Sequence, residues 1–590
     1  MNNSYYKKKY FTNAATIKTR QQTNIKTLQN KLDCYSSAVR TSLGFRGYSI
    51  YKEDLDTKQI ENIKKKLMIK PCNMGGGGGF GAGATEYPIY RESNTRLYMP
   101  RYYGEEIFGK PKEIKLTGGN KINDDVVFAG KLKPDQIVPV EEYLKRINIS
   151  AELDCGAGGG GLLELPCGFG KTTISLYLVS IIRRKTLVVV NTTVLLNQWV
   201  DRIQQFLPNA RIGRLQGDII DIHDKDIVIG MLQSISKKDY SMEVFSSFGF
   251  SIFDEVHHIS SEMFSCALFK IVTKYTLGLS ATMDRKDGTT FVFKYFLGDV
   301  AFKGENTEQF DVEVRGMIFS VNDAVFNETE TNCRGDLQFS RMISKLCDYG
   351  RRTEFILNIV KNLVAESPTK QILILAHNRC LIKTLHEKLA ECFTEMNTRN
   401  NNSAYSVGLY IGGMKQAILD ENRSKLVLVG SYALASEGLD IKTLSTLVLA
   451  TPKTDIIQVV GRILRSREHN PLVVDIIDKQ DLFQKQWAKR RAYYKKCNYY
   501  IKQSADSGVT WKNVFVPKTM QKNICGGGVG GGATTTVNEF FGVGGGDGDG
   551  DGDGDGEIDE DDADTDAAAG KCLIDFGVGD DEDGNGDGNK

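Results

Sequence analysis

Two series of short apolar runs, separated internally by amphipathic stretches, constrain this chain more than any other feature. The first comprises TLVVV (186–190), DIVIGML (226–232), FSIFDE (250–255) and YTLGLSA (275–281). The second comprises QILILA (371–376), VGLYIGG (407–413), KLVLVG (425–430), TLVLAT (446–451) and PLVVDII (471–477). Runs that are apolar throughout, not only on alternate residues, suit strands buried on both faces, and helices between such strands impose parallel pairing. A polar stretch near 303–350 divides the two series. The expected fold class is therefore α/β, with two tandem parallel-sheet domains.

The flanks read differently. Residues 1–130 form an N-terminal accessory region of α+β character, with a helix expected at Ile60–Leu67. EYPIYRESNTRLYMPRYYG reads as a β-hairpin turning at Ser93-Asn94. The glycine tract Met74–Ala84 reads as a flexible loop, and the run Gly156–Gly161 as a loop tip before a strand. The remaining expected divisions are 131–305 and 346–485 for the two sheet domains, 306–345 for a connecting segment, and 486–525 for a basic and aromatic extension. Residues 526–590, rich in Gly and Asp, are expected to be a disordered acidic tail. Asp549, Asp551, Asp553, Gly554 and Glu560 match a calcium-loop spacing, but an Asp-Gly repeat meets that pattern by accident and no amphipathic helices flank it.

The net charge of +1 conceals a division. Residues 521–590 hold 19 acidic residues against three lysines, which leaves an excess of 17 positive charges on residues 1–520. Such a body suits a polyanionic partner. No run is long enough for a membrane span, and the basic start MNNSYYKKKYFTN leads into no apolar segment, so neither a membrane nor secretion is expected. The twelve cysteines include no Cys-x-x-Cys pair, which points to reduced thiols in an intracellular setting.

The chemistry concentrates in four segments. In LELPCGFGKTT (163–173) an apolar strand runs into Pro166-Cys167-Gly168-Phe169-Gly170-Lys171-Thr172-Thr173, and a helix-like segment follows. Glycines let backbone N–H groups curl around phosphate oxygens while the helix directs its positive end at them. Lys171 would reach the β- and γ-phosphates of ATP, and the Thr172 hydroxyl would ligate Mg²⁺. Leu165 stands where the usual pattern has its first glycine. In FDEVHH (253–258), Asp254 can hold Mg²⁺ and Glu255 can polarise the attacking water. Ser280-Ala281-Thr282 ends the next apolar run with two hydroxyls suited to relaying nucleotide state. In QVVGRILR (458–465), Arg462 and Arg465 share one helix face and could both reach a γ-phosphate. Singly, the last three are weak signals; their order gives them weight.

These four segments, in this order, resemble the superfamily-two helicases of the Asp-Glu-x-His kind. The resemblance implies two RecA-like domains sharing one ATP site, and an ATP-driven helicase or translocase. It casts Gln136 in LKPDQ (132–136) as an adenine reader. It also makes Gln458 part of the catalytic set and places Gly438 and Asp440 in a segment linking ATP to the strand. VVVNTTVLLNQW (188–199), GRLQG (213–217), GMLQSIS (230–236) and GSYALASEGLDI (430–441) then supply nucleic-acid contacts: Asn191, Thr192, Gln216, Gly217, Gln233 and Ser431. ILILAHNR (372–379) occupies an equivalent place. SATMDRKDG (280–288), YIGGMK (410–415) and LVLATPKTDIIQVVGRILR (447–465), together with YPIYRE (87–92) and PRYYG (100–104), resemble the helicases of large cytoplasmic DNA viruses. Iridoviruses, ascoviruses and their poxvirus relatives are meant, and the resemblance runs over about residues 45–500. It implies a soluble intracellular protein of host cytoplasm or nucleus, with the virion also open, and a nucleic-acid partner, DNA favoured over RNA. The alternatives are a duplex translocase that leaves strands paired and a non-catalytic binding scaffold with a decayed ATP site.

KRRAYYKKCNYYIK (489–502) interleaves cations with tyrosines. Its tyrosines either stack on bases or pack the helix onto the second domain with the cations solvated.

Overall fold

The computed structural model describes residues 39–517, apart from 72–85, 148–157, 167, 259–261, 284, 286–287, 306–310, 334, 336, 401–403, 440, 442 and 465–469. The Met74–Ala84 tract, Cys167, Asp440, Arg465 and the acidic tail with its calcium-loop spacing therefore lie outside the described residues.

The accessory region builds a five-stranded sheet in the order β5-β6-β2-β1-β7. Its strands are β1 (Thr41–Gly44), β2 (Gly47–Tyr51), β5 (Arg91–Glu92), β6 (Arg96–Met99) and β7 (Glu113–Ile114); β3 (Met68–Ile69) and β4 (Tyr87–Pro88) form a separate ribbon. A helix at Thr57–Lys66 starts with a reciprocal cap, in which Gln59 N–H donates to Asp56 and the Gln59 side chain accepts from Asp56 N–H. The hairpin turns at Ser93-Asn94 but ends at Met99, because Pro100 starts the helix Arg101–Phe108. From that helix the buried Arg101 donates to the carbonyls of Lys274 and Gly158, which seats the accessory region on the first α/β unit.

The first α/β unit is an eight-stranded sheet in the order β11-β10-β12-β9-β13-β14-β8-β15. The strands are β8 (Gly159–Glu164), β9 (Thr186–Val190), β10 (Ile212–Gln216), β11 (Ile219–Asp221), β12 (Ile227–Met231), β13 (Phe250–Phe253), β14 (Tyr275–Ser280) and β15 (Val300–Lys303). All pair in parallel except β11, an antiparallel edge on β10. β9, β12 and β13 are buried along their whole length, as their unbroken apolar runs require.

The glycine run before the phosphate loop corrects the sequence reading. Gly159–Gly161 do not tip a loop; they open β8 itself, between β14 and β15. A Cβ on Gly160 would collide with Thr276 Oγ1 and Tyr102 Oη, and one on Gly161 would crowd Arg146 Cδ. The missing side chains let the helix Pro134–Ile147 and the accessory helix press directly onto the strand.

The second unit repeats the architecture in the order β18-β19-β17-β20-β21-β16-β22-β23. Its strands are β16 (Glu313–Phe319), β17 (Gln371–Ala376), β18 (Val407–Tyr410), β19 (Val427–Ser431), β20 (Leu444–Leu449), β21 (Leu472–Asp478), β22 (Tyr500–Ser504) and β23 (Lys512–Phe515). Only β23 runs antiparallel. The sheet thus draws strands from 313–319 and 500–515, on either side of the 346–485 span. Among the described residues no helix is long and apolar enough to cross a membrane.

Candidate active site

The strand-end loops of the first unit hold three of the four chemical segments; the fourth, QVVGRILR, lies on the helix Ile457–Ile463 of the second. After β8, Gly168 and Gly170 adopt φ of +82° and +93°, and the helix Lys171–Ile182 begins at once. Those left-handed angles favour glycine. A Cβ on Gly168 would meet nothing within 4 Å, whereas one on Gly170 would collide with Gln136 Nε2. Gln136 is buried beneath the loop: its Nε2 donates to Phe169 O at 2.8 Å and its Oε1 accepts from Lys133 N–H at 3.0 Å. In this structure the residue expected to read adenine braces the phosphate loop.

The acidic pair follows β13. Lys171 Nζ donates to Glu255 Oε1 at 3.0 Å, with both side chains about 15% exposed. Trp199 Nε1–H donates to Asp254 Oδ2 at 2.9 Å, and Glu255 N–H to Asp254 Oδ1 at 3.0 Å. Burial, reinforced by the neighbouring Glu255 charge, pushes the Asp254 carboxyl up to about 6. Burial acts on Glu255 in the same sense, yet Lys171, His257 and Arg462 together hold its carboxyl below the usual range. Glu255 also sits at φ +50°, which costs a non-glycine residue about 1–3 kcal/mol. The pair therefore combines a strained backbone, one carboxyl held ionised and one inclined to keep its proton.

His257, the histidine of the Asp-Glu-x-His pattern, to which the sequence assigned no role, joins the acidic segment to the next loop. Its Nδ1 lies 3.1 Å from Ser280 Oγ and 3.4 Å from Glu255 Oε2. Ser280 Oγ donates to Thr282 O at 2.6 Å and accepts from Thr282 N–H at 3.2 Å. The serine has one hydrogen and has given it away, so His257 Nδ1 is the donor. Arg285 donates to the His257 carbonyl and to Thr289 Oγ1, and so anchors the segment from the other side. The signal was present in FDEVHH, where His257 holds the pattern's histidine position.

The segments expected to hold a strand are ordered by bonds among themselves. Thr192 caps the helix Thr193–Phe206 through Leu195 N–H at 3.3 Å, and Gln233 Nε2 donates to Asn191 O at 2.6 Å. Gly217, at φ +56°, donates to Ser234 Oγ and accepts from Tyr240 OH, just after the half-buried Gln216. In the second unit Ser431 ends β19 and Gly438 ends the helix Tyr432–Gly438. Arg462, on the helix Ile457–Ile463 with the half-buried Gln458, donates to Leu439 O at 3.1 Å. Its charge contributes to holding Glu255 ionised, which places the arginine's influence on the acidic pair.

The basic and aromatic segment packs in part: Tyr493 and Tyr500 are half-buried, while Lys489, Lys495 and Lys496 are exposed. Tyr494 and Tyr499 are buried, and Tyr494 OH donates to Asp475 Oδ2 at 3.0 Å. Arg490 is not solvated: it is buried in a two-bond pair with Asp475 at 2.8 and 2.9 Å.

Residues 130–285 match the family described as type III restriction enzyme, res subunit. The chain is 33% identical over 474 residues, 78% of its own length and 86% of the relative's, to a candidate ATP-dependent RNA helicase of Acanthamoeba polyphaga mimivirus. It is 26% identical over 471 residues, 76% and 97% of the two lengths, to a candidate helicase of Invertebrate iridescent virus 6. It is also 26% identical over 353 residues, 54% of this chain and 78% of the other, to a DNA 3'-5' translocase of Sulfurisphaera tokodaii. With a glycine loop, an acidic pair and an arginine whose charge acts on it from the second sheet, the chain belongs to the superfamily-two helicases of large DNA viruses, enzymes that couple ATP hydrolysis to work on nucleic acid.

Proposed function

We propose that ATP lies against the Gly168–Thr172 loop and that Arg462, with Arg465, completes the site when the two units close on it. The observation that carries this reading is the Lys171–Glu255 contact at the mouth of the glycine loop, with Arg462 acting on the same carboxylate. Bound phosphates would draw the Lys171 ammonium off Glu255 and leave that carboxylate ionised to accept a proton from the attacking water. Thr172 and Asp254 would hold a Mg²⁺ ion, whose charge offsets that developing on the phosphate oxygens. Asp254 is kept in place for this by Trp199. Ser280, Thr282 and His257 form the bonded link along which a change at Glu255 reaches the next loop.

The strand would lie along residues 191–192, 216–217, 233 and 431–440, so that closure and reopening shift the two sets of loops relative to one another. The related proteins include one named for RNA and one for DNA, so both polymers belong in the assay. The setting we infer is intracellular, in host cytoplasm or nucleus. The test is ATP hydrolysis with single-stranded DNA, duplex DNA, RNA or none, beside Lys171→Ala. Stimulation by one polymer, abolished in the variant, is expected and identifies the track. A rate indifferent to nucleic acid and to the variant would sink the reading.

A further inference from the structure

Thr451 lies in LVLATPKTDIIQVVGRILR, but no role has been assigned to it above. It lies two residues beyond β20 and is fully buried. Its Oγ1 accepts the His377 backbone N–H at 3.1 Å and lies 2.8 Å from His377 Nδ1, while its carbonyl accepts Tyr432 OH at 2.6 Å. One small residue thereby ties together the ends of β17, β19 and β20.

Each tied end leads to a different working part. His377 opens the turn into the helix Arg379–Asn400, and Tyr432 opens the helix Tyr432–Gly438. Thr451 opens the loop that leads into Ile457–Ile463, the helix of Gln458 and Arg462. One tied end thus belongs to a segment proposed to hold the strand, another to ILILAHNR, which the resemblance puts in an equivalent place, and the third to the helix proposed to complete the ATP site.

The chemistry of the knot leaves little slack. Burial and the nearby Lys453 hold His377 neutral, its value down at about 3. Thr451 Oγ1 accepts the histidine's backbone N–H and shares a second hydrogen bond with Nδ1, its direction set by the ring tautomer. The His377 ring lies 4.8 Å from the Tyr432 ring, and the Lys453 ammonium 5.2 Å from the latter's centroid. Lys453 O in turn accepts from Arg490 at 3.1 Å, which fastens the loop after Thr451 to the helix Asp481–Lys496. Hydrogen bonds of these lengths tolerate only a few tenths of an ångström before they weaken. A displacement of either turn is therefore passed to the backbone of residue 451.

The geometry points to Thr451 as a positioning residue that carries strand engagement at 377–379 and 431–439 into the placement of Gln458 and Arg462. This rests on the reading under Proposed function, and the experiment separates the two. ATPase is measured with and without oligo(U) and oligo(dT) for wild type, Thr451→Val and Thr451→Ser, with strand affinity by fluorescence anisotropy and Tm alongside. Valine keeps the branched shape and loses the hydroxyl; serine keeps the hydroxyl. The expectation is an unchanged KM for ATP and unchanged strand affinity in Thr451→Val, a loss of strand stimulation of about tenfold, and recovery in Thr451→Ser. Full stimulation in Thr451→Val overturns the proposal. So does an equal fall of basal and stimulated rates in both variants with a lowered Tm, since that marks a purely structural residue. A wild type that no strand stimulates removes the underlying reading, and this inference with it.

Discussion

Both sheets carry carboxylates on or just beyond central strands, and the two units use them in opposite ways. In the second unit Asp475 and Asp478, both on β21, are completely buried and gripped by arginine forks. Arg490 meets Asp475 at 2.8 and 2.9 Å, and Arg352 meets Asp478 at 2.7 and 2.8 Å. Tyr494 adds a further bond to Asp475. In the first unit Glu255 meets a lysine through one contact of 3.0 Å, at the rim, on a strained backbone. An arginine fork fixes both oxygens of a carboxylate and commits the pair, whereas an ammonium is a point charge that another anion can take over. The difference separates charge that holds the fold from charge kept exchangeable for chemistry.

The largest effect that would test this division belongs to Glu255→Gln. Removing a general base costs about 10²–10⁴-fold, so turnover should fall by that order while ATP-analogue binding and Tm stay near wild type. If Glu255 were instead a fold-holding carboxylate like Asp475, turnover would survive or Tm would collapse. Steady-state hydrolysis beside a thermal melt distinguishes the cases.

Next in size is Arg490→Met, which leaves Asp475 buried without its fork. Breaking one side of a buried pair costs about 3–5 kcal/mol, read from urea denaturation midpoints. Arg490→Met combined with Asp475→Leu should recover a large part, because no uncompensated charge then remains. A loss under about 1 kcal/mol for the single variant would put this pair among exchangeable ones and erase the contrast.

How far the sequence disclosed this division follows from distance along the chain. The strand–turn–helix around Gly168–Lys171 and the placing of Asp254-Glu255 after a strand were legible because those elements are contiguous. So was the alternation that dictates two parallel sheets. PLVVDII was legible as a strand, but nothing in it marked Asp475 as an anchor, since its fork arrives from Arg490 on a later helix. The tyrosines around Arg490 were undecidable for the same reason. Gly156–Gly161 misled because glycine is equally at home in a loop and in a strand pressed by neighbours. Here Tyr102, Thr276 and the helix Pro134–Ile147, all remote in sequence, decide it. Thr451 gave no signal, as its partners His377 and Tyr432 come from other strands.

The smallest expected effect is also the one with a distinctive sign. Asp254 is buried with an indole N–H and a backbone N–H on its oxygens but no cationic fork, and its carboxyl is pushed up to about 6 by burial and by Glu255. A group whose folded value lies above its ordinary carboxylate value holds an extra proton in the folded state between the two. Its contribution to stability is therefore full below about pH 4 and lost as pH rises to about 6. Asp254→Asn removes the group that suffers this loss and keeps an oxygen for Trp199. Measured without Mg²⁺, the variant should be more stable than wild type at pH 7.5 by about 1–3 kcal/mol, and the gap should narrow at pH 5. Hydrolysis should fall in the same variant. Asp475→Asn should do the reverse and lower stability at pH 7.5, since a neutral amide leaves Arg490 buried without a counter-charge. Two aspartate-to-asparagine changes of opposite sign would establish that the first unit carries its acidic pair at a cost in stability. Equal destabilisation by both would mean that Asp254 also holds the fold, and the contrast between the two sheets would then rest on Glu255 alone.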